Sequence, residues 1–356
     1  MPGRAGTART ARLLRERFGE RPFSVAQAAA AGVSYDRLRQ ARDAGRVVVL
    51  RRGVVMVPAE GAGTASGRRG APALDSLGAA DRAWLEGCVT ATPAAVVSGR
   101  WAAELLGLPV VLGPGADRRR RPPLLLLPSG APGKQGRRRD GALVRRARLT
   151  QAEVVLVEGI AVTSPLRTAL ELARHLPTRF AVASLDAALH QAFPTASRGD
   201  LEALAQSREM LEAALGRQSG TVGIARAREA GRLADARSES PLESVSRLVA
   251  IEGGLPAPEP QWRLRGVYGE EFWGDLGWPR YRLVGECDGW GKYGDSATDM
   301  RSAFQAEKRR HDSLQMAGYR PLHWGWDEGV VRPRRLLTLL GAALAAAGWD
   351  GERVAA

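Results

Sequence analysis

Hydrophobic residues recur along this chain in two periods, and the places where one gives way to the other mark its elements. Near the start, Ser24 stands before a short helical pattern running to Ala31, Gly32 interrupts it, and Ser34 opens a second pattern ending at Ala44 and Gly45. A serine side chain accepts from a backbone N–H of the first helical turn, and glycine ends a helix at little steric cost, so the stretch predicts helix, turn, helix. Two β-branched runs follow, Val47 to Leu50 and Val54 to Val57, parted by Arg51, Arg52 and Gly53, and they predict a two-stranded wing. With an arginine-rich helix over residues 7–20, residues 1–58 are expected to form a winged helix-turn-helix.

Residues 59–74 are rich in Gly, Ala and Ser without apolar period and read as a linker. Residues 75–237 predict a mixed α/β middle domain. Helical patterns fall at 78–90, 98–107, 165–175, 179–192, 199–216 and 221–234, with strand-like runs at Leu124 to Leu127, Ala142 to Val144 and Val154 to Val157. The arginine clusters Arg118 to Arg121 and Arg137 to Arg139 lie beside Pro and Gly and are expected in exposed loops. From residue 238 the pattern changes again. In SESPLES, Ser240 can cap a helix with Pro241 at its first position and Glu243 in its first turn. A hairpin, Trp262 to Tyr268 with Glu271 to Gly274, is followed by a strand from Tyr281 to Cys287. A helix over about 300–317, a strand from Arg320 to Trp324 and a helix over about 333–347 complete the order α, β, β, β, α, β, α for residues 238–356. The fold class expected is α/β multi-domain.

Charge narrows the partners. The 356 residues carry 52 Lys and Arg against 38 Asp and Glu, a net charge of +14, which favours a polyanion because cationic side chains gain affinity by releasing phosphate counterions. Arg, Ala and Gly dominate the whole chain, so charge alone does not settle the matter. Residues 1–55 carry twelve arginines and four acids. In a winged helix-turn-helix the second helix enters the major groove and the wing touches the backbone, which makes Arg37, Arg39, Arg42, Arg46, Arg51 and Arg52 candidate contacts to double-stranded DNA. Cys88 and Cys287 are too few and too far apart for a disulfide framework or a structural zinc site. No apolar run reaches membrane-spanning length and no signal-peptide pattern opens the chain, so a soluble, cytoplasmic protein is expected.

Candidate chemistry gathers between Gly274 and Asp312. Asp275 precedes an apolar strand, and Glu286 and Asp288 flank Cys287 at its far end. Residues two apart on a strand point to one side, so Glu286 and Asp288 can project together toward Asp275 on the neighbouring strand. Such a trio suits a hard divalent cation, Mg²⁺ or Mn²⁺, of the kind that serves in-line attack on a phosphodiester. Of the 52 cationic residues only Lys134, Lys292 and Lys308 are lysines, and two of the three lie in this stretch. A lysine kept where other cations are arginine suits a compact ammonium that orients a water. In the following helix Glu307 and His311 share one face and Lys308 and Asp312 the next, placing Arg310 and His311 within reach of a phosphate or on a solvated ion-paired face. His175 and His190 have no acid or cysteine at ligand spacing and read as packing or surface residues.

The first stretch resembles the N-terminal winged helix of AbiEi-like type IV antitoxins. Gly32, Leu38, Gly45, Leu50, Arg52, Gly53 and Val54 follow their pattern, and Val55 replaces the usual Tyr. In the middle region AAVVSGRWAAELLGLP, GIAVTSPLRTALELAR and SLDAALH resemble the same group, with Gly99 where a His is frequent. The phrases SPLES, GLPAPEPQ, GDLGWP, GECDGWGKY and AEKRRHDSLQMAGYRPLHWGW resemble the very-short-patch-repair-like (Vsr-like) branch of the PD-(D/E)XK nuclease superfamily, which implies a restriction-endonuclease-like αβββαβ domain. The resemblance implies that Asp275 and Glu286 are metal ligands and Glu243 an auxiliary ligand or organiser of metal-bound water. Asp288 stands where the superfamily usually has Lys. Either Asp288 is a further ligand, with Lys292 or Lys308 supplying the ammonium, or the domain has lost cleavage and only binds.

Two functions follow as expectations: a metal-dependent DNA endonuclease behind a DNA-binding winged helix, or an antitoxin-like transcriptional regulator whose nuclease-like domain is degenerate. A toxin or defence-system protein is the expected macromolecular partner besides DNA.

Overall fold

The structure, a computed structural model, describes residues 4–51, 53–58, 79–113, 122–137, 142–288 and 308–352. They divide into two compact units, residues 1–107 with 117–164 and residues 108–116 with 165–356.

The first unit opens with α1 (Arg4–Phe18), β1 (Phe23–Ser24), α2 (Val25–Ala30), α3 (Tyr35–Asp43), β2 (Val48–Arg51) and β3 (Val54–Met56). Local chemistry sets these boundaries. Ser24 Oγ accepts from Gln27 N at 3.0 Å while Gln27 Oε1 accepts from Ser24 N at 2.7 Å, a reciprocal cap on α2. Ser34 Oγ accepts from Arg37 N at the start of α3. The turns at Gly32 and Gly45 have φ of +81° and +68°, left-handed values that suit glycine. Leu14, Phe23, Ala28, Val33, Leu38, Ala41, Val47 and Val55 form one core, with Phe18 stacked on Phe23. The wing pair is joined by β1 in the sheet order β1-β3-β2. The two residues of β1 have no pattern of their own in the sequence, because only their partner strand makes them a strand.

Next come α4 (Ala79–Thr90), β4 (Val96–Ser98), α5 (Gly99–Leu105), β5 (Leu124–Pro128), β6 (Gly136–Arg137), β7 (Leu143–Ala147), β8 (Val154–Val157) and β9 (Ile160–Thr163). They build a mixed six-stranded sheet in the order β6-β7-β5-β4-β9-β8, with Trp101, Leu125, Leu127, Val144 and Val162 in its core.

The second unit comprises α6 (Pro165–Ala173), α7 (Thr178–Ala192), α8 (Leu201–Arg217), α9 (Ile224–Leu233), α10 (Pro241–Glu252), β10 (Glu259–Arg265), β11 (Glu271–Trp278), β12 (Leu283–Asp288), α11 (308–316), β13 (Arg320–Gly325) and α12 (Pro333–Ala346). Ser240 Oγ accepts from Glu243 N and Pro241 takes the first helical position, so α10 begins as its sequence dictates. The strand order is β10-β11-β12-β13, antiparallel except for the parallel pair β12 and β13. Leu242, Val245, Leu276, Trp278, Cys287, Trp324, Leu336, Leu340 and Leu344 pack as one core. Both buried indoles find acceptors: Trp278 Nε1 donates to Pro256 O at 2.7 Å and Trp324 Nε1 to Ser246 Oγ at 2.8 Å.

Three local features depart from the sequence reading. Strand β11 runs on to Trp278, four residues past Gly274. Tyr281 belongs to a 3-10 turn, Pro279–Tyr281, because Pro279 starts a turn and Arg282 takes φ +50°. A single π turn, Asp327–Val331, joins β13 to α12. The seam suggested at residues 237 and 238 runs inside this unit. Arg247 of α10 donates to Asp186 Oδ2 of α7 at 2.9 Å, both fully buried, and Asp186 Oδ1 also accepts the N–H of Asp235.

Removing one member of that pair strands the other in a dry core, which costs about 3–5 kcal/mol. Arg247→Met is therefore expected to lower the urea midpoint strongly, and Asp186→Asn combined with Arg247→Met to lower it less. Equal losses in the single and the double variant would rule this out.

Candidate functional site

The register of the second sheet lines up polar residues that are far apart in the chain. Pro260 pairs with Leu276 and Trp262 with Gly274, which sets Gln261 opposite Asp275. Leu276 pairs with Gly285, the neighbouring Asp275 reaches across to the N–H of Cys287, and Glu286 pairs with His323. One transverse row thus carries Gln261, Asp275, Glu286 and His323, from four strands. Glu243 approaches from α10, and Arg310 and His311 from α11.

Each acid is held. Asp275 Oδ2 accepts the N–H of Cys287 at 2.7 Å. Glu286, 3% exposed, accepts from Arg310 at 2.7 Å, and the same guanidinium group donates to Trp273 O. Glu243 Oε2 accepts from Glu239 N and from Gln261 Nε2, each at 3.0 Å. Gln261 in turn accepts from Arg198, which pairs with Glu239 and lies over the Trp273 ring. Gln261 is buried and holds φ +50°, a conformation costly for a residue with a Cβ, so the chain accepts strain where this amide reaches Glu243.

The electrostatics follow from crowding. Burial, and then the negative charge of Asp275, push the Glu243 carboxyl up to about 7, against the pull of the Glu239 N–H, Ser240 and Gln261. Burial and the same carboxylates raise the Cys287 thiol, which leaves it a protonated core residue.

The expected ligand trio does not close. Asp288 lies at the half-exposed end of β12, where its Oδ2 is 3.4 Å from His323 Nδ1, while Asp275 is turned to a backbone N–H and Glu286 to Arg310. Among the described residues no group of three or more His, Cys, Asp or Glu side chains is arranged to hold a metal ion. The donor chemistry is that of a hard cation, and Arg310 supplies a positive charge at Glu286 that such a cation would have to displace. Lys308 is exposed at the start of α11, and Lys292 and Glu307 lie outside the described residues. His311 and His323 have ring centroids 5.7 Å apart. Sequence reasoning missed Gln261 and Arg198; the only signal was the glutamine closing GLPAPEPQ.

On the winged helix the six expected arginines divide. Arg37, exposed, donates to Gly32 O and Thr10 Oγ1. Arg39 pairs with Asp36 at 3.4 Å, Arg42 donates twice to Asp43, and Arg46 is exposed. Arg52 and the side chain of Arg51 lie outside the described residues. Arg37 thus links α3 to α1 while its side chain stays on the surface. No helix among the described residues is long and apolar enough to cross a membrane.

A capped helix-turn-helix with a wing, followed by mixed α/β structure, is the class of protein this geometry defines. Residues 12–58 match the family described as transcriptional regulator, AbiEi antitoxin, and residues 116–218 match the AbiEi antitoxin C-terminal domain. The chain is also 35% identical over 185 residues to two proteins of Mycobacterium tuberculosis, the uncharacterized proteins Rv2248 of strain ATCC 25618 / H37Rv and MT2308 of strain CDC 1551 / Oshkosh. Those matches cover 52% of this chain and 62% of each relative, so the chain spans less than two thirds of the relatives' length.

A glutamate titrating near 7 when folded and near 4.3 when unfolded keeps its proton in the native state over a range where the unfolded chain has lost it. Its contribution is therefore complete at low pH and is lost as pH rises through about 7. Glu243→Gln, which mimics the protonated acid, is expected to gain on the wild type between pH 5 and pH 8 in urea denaturation. A stability difference that does not change with pH would show that Glu243 titrates normally.

Proposed function

We propose that the chain is a DNA-binding regulator of antitoxin type, in which the winged helix binds duplex DNA and the α/β regions engage a toxin or defence-system protein. The observation that carries the reading is the coincidence of two independent features on one stretch. Residues 12–58 match a transcriptional-regulator family, and the same residues fold as two serine-capped helices and a wing with an exposed, arginine-bearing second helix. The net charge of +14 supplies long-range attraction to a polyanion. The match of residues 116–218 to an antitoxin domain supports the second half of the reading.

Duplex affinity of the full chain, measured by fluorescence anisotropy across a salt series, tests it. Affinity is expected to fall steeply with salt, and Arg46→Ala to reduce the logarithmic slope by about 1, the share of one phosphate contact. A full chain that binds no duplex at low salt would reject the DNA-binding half. Co-purification with a protein encoded beside it tests the other half.

A second reading, a metal-dependent endodeoxyribonuclease, rests on the row of Asp275 and Glu286 with Glu243 beside it, and on the resemblance to the PD-(D/E)XK superfamily. It requires Arg310 to leave Glu286 before that carboxylate can meet a cation. Nicking of plasmid that needs Mg²⁺ or Mn²⁺ and disappears in both Asp275→Ala and Glu286→Ala would establish it. Intact plasmid with every divalent cation would reject it.

A further inference from the structure

We infer that α3 reads base edges in the major groove through Gln40, with an adenine as its partner; the inference rests on the DNA-binding reading above and adds to it the residue that sets specificity. The geometry of α3 selects this position. Leu38 and Ala41, 4% and 0% exposed, fix the inner face of the helix against Leu14 and Phe23. Successive helical residues turn by about 100°, so positions 36, 39, 40 and 43, spaced i, i+3, i+4, i+7, form one stripe on the opposite face. That stripe is Asp36, Arg39, Gln40 and Asp43, all exposed.

Its charge is the unusual feature. In a chain with 52 cationic residues the most outward stripe of the second helix carries a carboxylate at each end. Across the whole of α3, three arginines face two aspartates, with Arg37 donating to Gly32 O and Thr10 Oγ1, Arg39 paired with Asp36 and Arg42 held twice by Asp43. A surface built to track phosphates would not set two carboxylates there. Deep in the major groove the phosphates are distant and the base edges offer amino donors, so mixed polarity is tolerated at the groove floor and disfavoured along the backbone. The stripe therefore rejects non-specific contact and favours base readout.

At the middle of the stripe Gln40 offers one acceptor and two donors on a neutral amide, the complement of adenine N6–H and N7. The sequence contains no asparagine, so glutamine is the chain's one amide side chain, and Gln40 is the one amide on α3. Gln27, the other glutamine of the two helices, is taken up in the cap of α2. Gln40 makes no side-chain hydrogen bond among the described residues, which leaves its amide available to a ligand.

Binding-site selection from a random duplex library with the full chain, followed by affinity measurements, tests this. The expected result is an enriched sequence with a fixed adenine. Gln40→Ala should lose about 5- to 100-fold in affinity for that duplex, level that one position, and bind unrelated duplex within about two-fold of the wild type. Gln40→Arg should move the preference at that position to guanine. Gln40 is exposed, so neither change disturbs the core. An enriched sequence that Gln40→Ala leaves unaltered overturns the inference while DNA binding stands, and so does duplex binding without sequence preference. Binding to a protein partner with no duplex bound would overturn both.

Discussion

A carboxylate removed from water must be met by a donor or a positive charge, and the second unit is organised around meeting that requirement repeatedly. Asp186 takes Arg247 and a backbone N–H, Asp275 takes the N–H of Cys287, Glu286 takes Arg310, and Glu243 takes Gln261 with the N–H of Glu239. All but the Glu239 contact join separate elements of the chain. Together they fix α7 to α10, β11 to β12, α11 to the sheet, and α10 to β10. The apolar core under the sheet supplies most of the stabilising free energy, and removing one partner of a buried charge pair would leave the other uncompensated.

That requirement also shapes what the acid row can do. Glu286 is neutralised from within by a guanidinium, and Glu243 is pushed up to about 7 by its burial and then by the negative charge of Asp275. A site so balanced is stable without a ligand. A cation at Glu286 would have to displace the Arg310 guanidinium. In the first unit the balance has the opposite consequence. Aspartates on the outer stripe of α3 offset most of the charge of its arginines.

Much of the fold was legible in the sequence where a single turn of chain decides the outcome. Ser24, Ser34 and Ser240 each cap the helix that their position announces, because a cap involves only the next three residues. The wing and the order of elements from α10 to α12 follow from periodicity and from glycine and proline at the breaks. Strands β1, β4 and β9 and the π turn at Asp327–Val331 were not legible, since two to five residues carry no period and their conformation is dictated by neighbours. The same division runs through the candidate site. Asp275, Glu286 and Glu243 stood out as acids beside strand and helix ends, whereas Gln261 and Arg198 gave no signal, because their roles come from partners 18 and 63 residues away.

By itself, then, the sequence determined which segments are helices, which acids lie near the end of a strand, and that the chain is strongly basic. Only the tertiary structure decided what those charges face. Asp275 meets a backbone N–H, Glu286 meets Arg310, Asp288 faces His323, and Arg37 meets Thr10 of α1. The reason is physical: secondary structure is set by interactions a few residues long, while the state of a charge depends on the dielectric and the partners around it, and these exist only once distant segments have packed.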